Sequence, residues 1–251
     1  KIKMINISPL TNIYELPSKF SKLSSQMLYG EKFNIISRKK KWIKIKTCFD
    51  NYQGYIQNKN FDYDFKTTHK IYRIKTKIYR KLRNRLSPTK KFLYYASQIR
   101  ILKSSKKYIE YKKNYWIKKK DVKKIKHYES NFSKVMKSFL NTKYLWGGKS
   151  CAGIDCSALI QIYFYYNGIF FKRDTKDQIK FLKMVPKKNK YDKRQLIFWK
   201  GHVAYCLNKS NLIHAYGPKN RVLMMKIKDT IKEIEENSKL KVRGLRKLNV
   251  V

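Results

Sequence analysis

Acidic residues are scarce. Only 16 Asp and Glu stand against 61 Lys and Arg in 251 residues, a formal charge of +45. Such an imbalance points toward an anionic partner: nucleic acid, anionic lipid or a cell-wall polymer. Glycine is also sparse, at nine residues, while Lys, Ile, Asn, Tyr and Phe abound, as an AT-rich coding sequence would produce. Lys and Arg run through every segment rather than forming one stripe, which favours compositional bias over a dedicated patch. The surface is still expected to bind polyanions nonspecifically and with strong salt dependence. Long apolar runs are missing. No stretch of about eighteen apolar residues occurs, so no transmembrane helix is expected. The opening Lys1–Pro9 is basic but has no long apolar stretch, so it is not an intact secretory signal. The cytoplasm is therefore expected, with the periplasm or cell wall as the alternative because the chain lacks a starting Met. There are four cysteines, Cys48, Cys151, Cys156 and Cys206, and no CxxC pair. Their spacing fits no common zinc pattern, so no metal is expected, and nothing requires a disulfide. Cys48 and Cys206 lie in apolar, strand-like stretches and read as buried small hydrophobes.

The 42% of apolar residues suffices for real cores. Residues 1–65 read as short strands. Lys41–Lys46 alternates polar and apolar side chains, and Asp50-Asn51 signals a turn before Tyr52–Ile56. Residues 66–124 repeat the theme, with Ile99–Leu102 resembling Phe33–Ile36 and Tyr115–Ile117 resembling Gly54–Ile56. This weak repeat has a period of roughly sixty residues. Two small SH3-like β-barrels in tandem are expected, with one irregular β domain as the alternative. From 125 to 251 the texture changes. Phe132, Val135, Met136, Phe139 and Leu140 lie at helical spacing, Trp146-Gly147-Gly148 reads as a loop, and Ser157–Asn167 reads as a helix stopped by Gly168. Leu196–Trp199, His202–Leu207, Leu212–Tyr216 and Arg221–Ile227 read as strands. A helix is expected from Lys228 to about Glu236, and a last strand over Val242–Leu248. Helices followed by an antiparallel sheet make this an α+β domain.

Cys156 falls at the start of the second helix, between Asp155 and Ser157. There its sulfur would meet orphan backbone N–H groups and the positive end of the helix dipole, both of which favour a thiolate. A neighbouring imidazole could hold a proton as the cation of an ion pair. Backbone N–H groups beside the sulfur could stabilise an oxyanion. His202 opens an apolar strand, sharing a face with Ala204 and Cys206, and His214 lies within the next strand. Taken singly, each is more simply a hydrogen-bonded core histidine. Together with a helix-start cysteine they form a candidate triad in which His214 fixes the tautomer of His202. His69 and His127 have no such company and are expected at the surface.

Tyr144–Gly148, Ile154–Gln161, Arg173-Asp174-Thr175 with Gln178, Leu196–Val203 and Leu212–Ala215 together resemble the NlpC/P60 cysteine peptidases. Ser24–Glu31 and Asp50–Tyr55 are similar to the bacterial SH3 domains that precede such peptidases. The resemblance implies a papain-like fold after the two barrels and no cofactor. It implies that Cys156 is the nucleophile, His202 the base and then the acid, and His214 the orienting residue. The substrate implied is a murein stem peptide, cut at its γ-D-glutamyl-diamino acid bond. Asp155 and Ser157 match positions that hold the free amine of an N-terminal L-Ala. Tyr52 matches a tyrosine of the first SH3 domain in the same role, and Trp146 is a further expected substrate contact. An acidic residue is also expected from that domain, with Glu15 and Glu31 as the candidates. Ala158 replaces a usual Gly, a slight change for a helix. Two alternatives remain open: a cell-wall-binding protein with an inactive site, and a nucleic-acid binder that stacks bases on Tyr among lysines.

Overall fold

The computed structural model describes residues 3–83, 85–186 and 191–248. The outermost expected domain limits, residues 1 and 251, lie outside the described residues. The chain separates into two compact units. One comprises Lys1–Tyr128 with Gly147–Cys151, the other Glu129–Trp146 with Ala152–Val251.

In the first unit, strands β1 (Lys3–Asn6), β2 (Leu10–Tyr14), β3 (Leu23–Leu28), β4 (Lys32–Lys39), β5 (Trp42–Thr47), β6 (Gln53–Gln57) and β7 (Phe61–Tyr63) form one sheet. Its order is β3-β2-β6-β5-β4-β1-β7. The alternation in β5 has its physical cause in the pleat. Ile43, Ile45 and Thr47 are buried while Trp42, Lys44 and Lys46 stay partly exposed. Ile43 and Ile45 join Ile13, Met27, Phe33 and Ile56 in one core. Next come β8 (His69–Ile71), β9 (Lys75–Leu82), β10 (Arg85–Tyr94), β11 (Gln98–Ile99), β12 (Lys103–Ser104), β13 (Tyr108–Lys112), β14 (Tyr115–Lys118) and β15 (Val122–Lys124). They form sheets ordered β10-β9-β14-β13-β12 and β11-β8-β15. A second core gathers Ile71, Ile78, Leu93, Ile99, Ile109 and Ile117.

The weak sequence repeat has a topological counterpart. Both β3-β2-β6-β5-β4 and β10-β9-β14-β13-β12 are a hairpin whose first strand pairs with the last strand of a three-strand meander. Neither order returns to its first strand, so the expected closed barrels are open sheet-rich modules. The two-residue strand β16 (Lys149–Ser150) also belongs to this unit. It supplies a fully buried cation. The Lys149 Nζ donates to both carboxylate oxygens of Glu31 at 2.9 and 3.0 Å, each side chain 1% exposed. Gly147 holds φ +73°, and a Cβ there would lie 2.6 Å from the Leu23 carbonyl oxygen, so only glycine fits.

The second unit contains α1 (Phe132–Ser138), β17 (Gly153–Ile154), α2 (Cys156–Asn167), α3 (Thr175–Phe181), β18 (Lys183–Val185), β19 (Gln195–Trp199), β20 (His202–Cys206), β21 (Asn211–Tyr216), β22 (Arg221–Lys226), α4 (Ile227–Ser238) and β23 (Gly244–Lys247). Its antiparallel sheet runs β18-β23-β19-β20-β21-β22. Residues 156–166 of α2 are all buried, so this helix is enclosed on every side rather than along one stripe. Gly168 ends it in the left-handed region, at φ 69°. The two sheet faces pack differently. Tyr205 meets Phe132 at 4.7 Å between ring centroids. Ala204, Cys206, Leu212 and Tyr216 pack instead with Ile227 and Ile234 of α4. Cys206 is buried as expected, but Cys48 is exposed. It lies in the turn after β5 rather than in a strand, and accepts a weak hydrogen bond from Asn34 Nδ2 at 3.6 Å.

Candidate active site

The site of the second unit starts with a cap. Asp155 is the N-cap of α2, and its Oδ1 accepts the Ala158 N–H at 2.7 Å. That cap fixes Cys156 as the first helical residue, 4% exposed. The Cys156 Sγ–H donates to the Gly201 carbonyl oxygen at 3.8 Å. The sulfur therefore abuts the turn from which His202 emerges. Backbone N–H groups of Val203 and Ser157 favour the thiolate, but burial and then the Asp155 charge oppose it. The balance pushes the thiol up to about 12.

His202 opens β20, and His214 lies in β21. The register that pairs Tyr205 with Ile213 and Cys206 with Leu212 puts both imidazoles on one sheet face. His202 Nε2 and His214 Nδ1 are 2.9 Å apart, and His214 Nε2 lies 3.4 Å from Met225 Sδ. A thioether sulfur can only accept. Both contacts are satisfied when His214 carries its proton on Nε2 and accepts the His202 Nε2–H on Nδ1. That tautomer leaves His202 Nδ1 as the free base. Tyr216 stacks on His214 at 4.7 Å and 12°, and the Trp199 ring lies 5.5 Å from His202. This aromatic enclosure desolvates both rings. His202 is pushed down to about 4 by burial, and His214 falls well below its ordinary value through burial and the neighbouring His202. Sequence reasoning expected a thiolate–imidazolium pair. Enclosure opposes both charges of such a pair, since burial pushes the thiol up and the imidazole down.

Asp155 is held by a cation of its own chain. Arg173 Nη1 and Nη2 donate to Asp155 Oδ1 and Oδ2 at 3.0 and 2.7 Å, and Nη1 donates to Ser157 Oγ at 2.8 Å. The Ser157 hydroxyl in turn donates to Asp155 Oδ1 at 3.1 Å. The carboxylate and hydroxyl expected to receive a substrate amine thus form a buried, bidentate cluster with Arg173. Arg173 had no assigned role in the sequence reading. Its signal was there: an arginine just ahead of the Asp174-Thr175 helix start, in the same run as Gln178. Gln178 Nε2 donates to the Ser157 and Lys172 carbonyls, tying that helix to α2. Tyr144 is a second residue the sequence reading left without a role. Burial, then the charges of Cys156 and Asp155, raise its phenol above the ordinary value.

Trp146 is 60% exposed in the second unit. Tyr52 belongs to the first unit, where its hydroxyl donates to the Ser24 carbonyl at 3.3 Å. Of the two acidic candidates, Glu15 is exposed. Glu31 is closed off by Lys149 and by the Leu28 N–H at 3.1 Å.

Residues 141–236 match the NlpC/P60 family, and residues 13–61 match the bacterial dipeptidyl-peptidase SH3 domain. The chain carries an NlpC/P60 domain behind a bacterial SH3 domain. It is 26% identical over 237 residues to dipeptidyl-peptidase 6 of Lysinibacillus sphaericus, covering 84% of this chain and 86% of that one. In fold, the chain is similar to an NlpC/P60 family protein from Bacillus cereus, with a TM-score of 0.81 at 18% identity over 98% and 99% of the two chains. It also resembles an NlpC/P60 endopeptidase from Photobacterium damselae subsp. piscicida, with a TM-score of 0.64 at 14% identity over 98% of this chain and 73% of that one. The NlpC/P60 match spans Cys156, His202, His214 and Arg173.

Proposed function

We propose that the NlpC/P60 domain is a cysteine peptidase that cuts the γ-D-glutamyl-diamino acid bond of murein stem peptides. One observation carries the chemistry: a buried helix-start thiol set against the turn that presents a histidine, itself hydrogen-bonded to a second histidine. Peptidase activity as such is further supported by the likeness to dipeptidyl-peptidase 6. As Cys156 Sγ attacks the scissile carbonyl carbon, its proton passes to His202 Nδ1. The negative charge on the carbonyl oxygen is met by backbone N–H groups at the start of α2. When the tetrahedral intermediate collapses, the C–N bond breaks and His202 gives its proton to the leaving amine. A water, deprotonated by His202, then hydrolyses the thioester and the proton returns to the sulfur. His214 steadies the imidazolium formed in each half-reaction.

In this reading Asp155 and Ser157 hold the free amine of an N-terminal L-Ala, and Trp146 covers the bound peptide. Arg173 modifies the expectation. It already neutralises Asp155, so the amine meets a compensated carboxylate and is held more by hydrogen bonds than by net charge. The test is to incubate the protein with L-Ala-γ-D-Glu-diaminopimelate and, separately, with intact sacculi, and to weigh the products. Release of L-Ala-γ-D-Glu supports the assignment. An intact γ-glutamyl bond in both arms refutes it. Preference for free peptide fits a cytoplasmic enzyme, and preference for sacculi fits one at the wall.

A further inference from the structure

Five lysines converge outside the catalytic unit. Lys106, Lys107, Lys118, Lys119 and Lys120 line, with Tyr108, an open concavity of about 570 Å³ in the second sheet-rich module. They arrive from two chain segments. One is the turn Ser105–Tyr108, where the Ser105 N–H and hydroxyl donate to the Tyr108 carbonyl at 2.8 and 3.0 Å and Ser105 Oγ accepts the Tyr108 N–H at 3.1 Å. The other is the end of β14 and the 3-10 turn Lys119–Asp121. Pairing of Tyr108 with Lys118, and a 2.9 Å bond from the Lys119 N–H to the Lys107 carbonyl, lock the two segments together. Among the described residues no carboxylate forms an ion pair with any of the five. The nearest acids in sequence are turned inward. Glu110 accepts the Asn114 N–H, and Asp121 accepts the Thr76 hydroxyl. The charged groups lining the concavity are thus all cationic, on two segments held together by backbone hydrogen bonds. Such a lining favours an anionic occupant.

We propose that this concavity binds a phosphate-rich polyanion that carries no bases. Ammonium groups are compact point charges suited to phosphate oxygens. The lining offers one aromatic ring, Tyr108, which is half-buried and engaged edge-on with Tyr79 at 5.1 Å. Binders of single-stranded nucleic acid need stacking faces for successive bases, which this concavity lacks. The inference does not depend on the peptidase reading.

The test uses the full chain and labelled long-chain inorganic polyphosphate, followed by anisotropy over a salt series. Lys107→Glu/Lys119→Glu is compared with Lys39→Glu/Lys41→Glu, which reverses two exposed lysines of the β4–β5 hairpin and changes net charge equally. The concavity pair should weaken binding at least about tenfold at ~0.15 M salt. It should also lower the log–log salt slope by about 1.4, or ~0.7 for each phosphate left without its lysine. The hairpin pair should stay within about twofold of the parent. Equal weakening in both would overturn the proposal in favour of diffuse charge. An oligothymidylate of equal phosphate number that binds more tightly, with the advantage abolished in Tyr108→Ala, would overturn the choice of occupant. All variants must keep the parent far-UV circular dichroism. If the Glu pair does not, Lys107→Gln/Lys119→Gln replaces it, with binding expected to weaken at least threefold and an unchanged affinity overturning the site.

Discussion

Arg173→Met removes the cation from the cluster beside the nucleophile while keeping an unbranched chain in its place. The Arg173 side chain is 2% exposed and that of Asp155 9%. The substitution takes the bidentate guanidinium from a buried carboxylate that keeps the Ala158 N–H and the Ser157 hydroxyl among its donors. Breaking a buried pair on one side costs about 3–5 kcal/mol. A whole domain has only about 5–15 kcal/mol to lose. Two units in one chain make a single global unfolding transition a poor gauge. Amide exchange in α2 reads the second unit alone. At about 1.4 kcal/mol per tenfold, exchange across residues 156–166 should quicken by roughly two to three and a half orders of magnitude. Adding Asp155→Asn to Arg173→Met removes the bare charge and should recover part of the stability, a coupling that single substitutions cannot mimic. Acceleration below about fivefold, the scale of an exposed ion pair, would refute the reasoning. So would a double variant no more stable than the single one.

Met225→Leu keeps the packing, with a stability change below about 1.5 kcal/mol. It removes the acceptor that fixes the His214 tautomer, so kcat should fall several-fold with KM unchanged; an unaltered kcat argues against the relay. Because burial holds His202 at about 4 while an unfolded histidine titrates near 6.5, the unfolded chain takes a proton in this window that the folded chain refuses. Stability of the second unit should therefore decline as pH falls from about 6.5 toward 4, and His202→Gln should flatten that decline; an unchanged slope contradicts the burial argument. Turnover needs the neutral imidazole, so its acid limb should lie near pH 4, and a limb near 6.5 would count against the enclosed pair. Alkylation of Cys156 through its thiolate should keep rising well above neutral pH, since the thiol is pushed up to about 12. In the first unit, Lys149→Met strands Glu31 and should cost about 3–5 kcal/mol at pH 7. The cost should shrink toward acid pH, because burial already raises the Glu31 carboxyl and protonation relieves the stranded charge. A pH-independent cost would show that the charge is not what matters.

Much of the second unit was legible because its signals are local. The apolar run after Cys156 marks a helix, Gly168 marks its end, and apolar stretches mark β20 and β21, while the cap by Asp155 was not read. The histidines lie at strand positions that share a face, so their meeting followed from the pleat. The opposition of burial to both charges of a thiolate–imidazolium pair was not legible. It depends on the burial of Cys156 and on Trp199 and Tyr216 closing over the histidines, which is tertiary packing rather than spacing. The clamp of Arg173 on Asp155 joins residues eighteen apart through a loop, and no periodicity announces it. In the first unit β10 was missed because Pro88 and its many cations argue against a strand. Its ladder with β9 indeed shifts between Pro88 and Phe92. Cys48 was misread because strand β5 ends one residue before it, at Thr47. Lys149, in a glycine-rich loop, gave no hint that it would be buried against Glu31.

The most direct measurement is to trap the acyl-enzyme. With L-Ala-γ-D-Glu-diaminopimelate under acid quench, the peptide bearing Cys156 should gain the mass of an L-Ala-γ-D-Glu acyl group, and Cys156→Ala should neither gain it nor release product. Product formation by Cys156→Ala at the parent rate, or the acyl mass on another residue, would contradict the account.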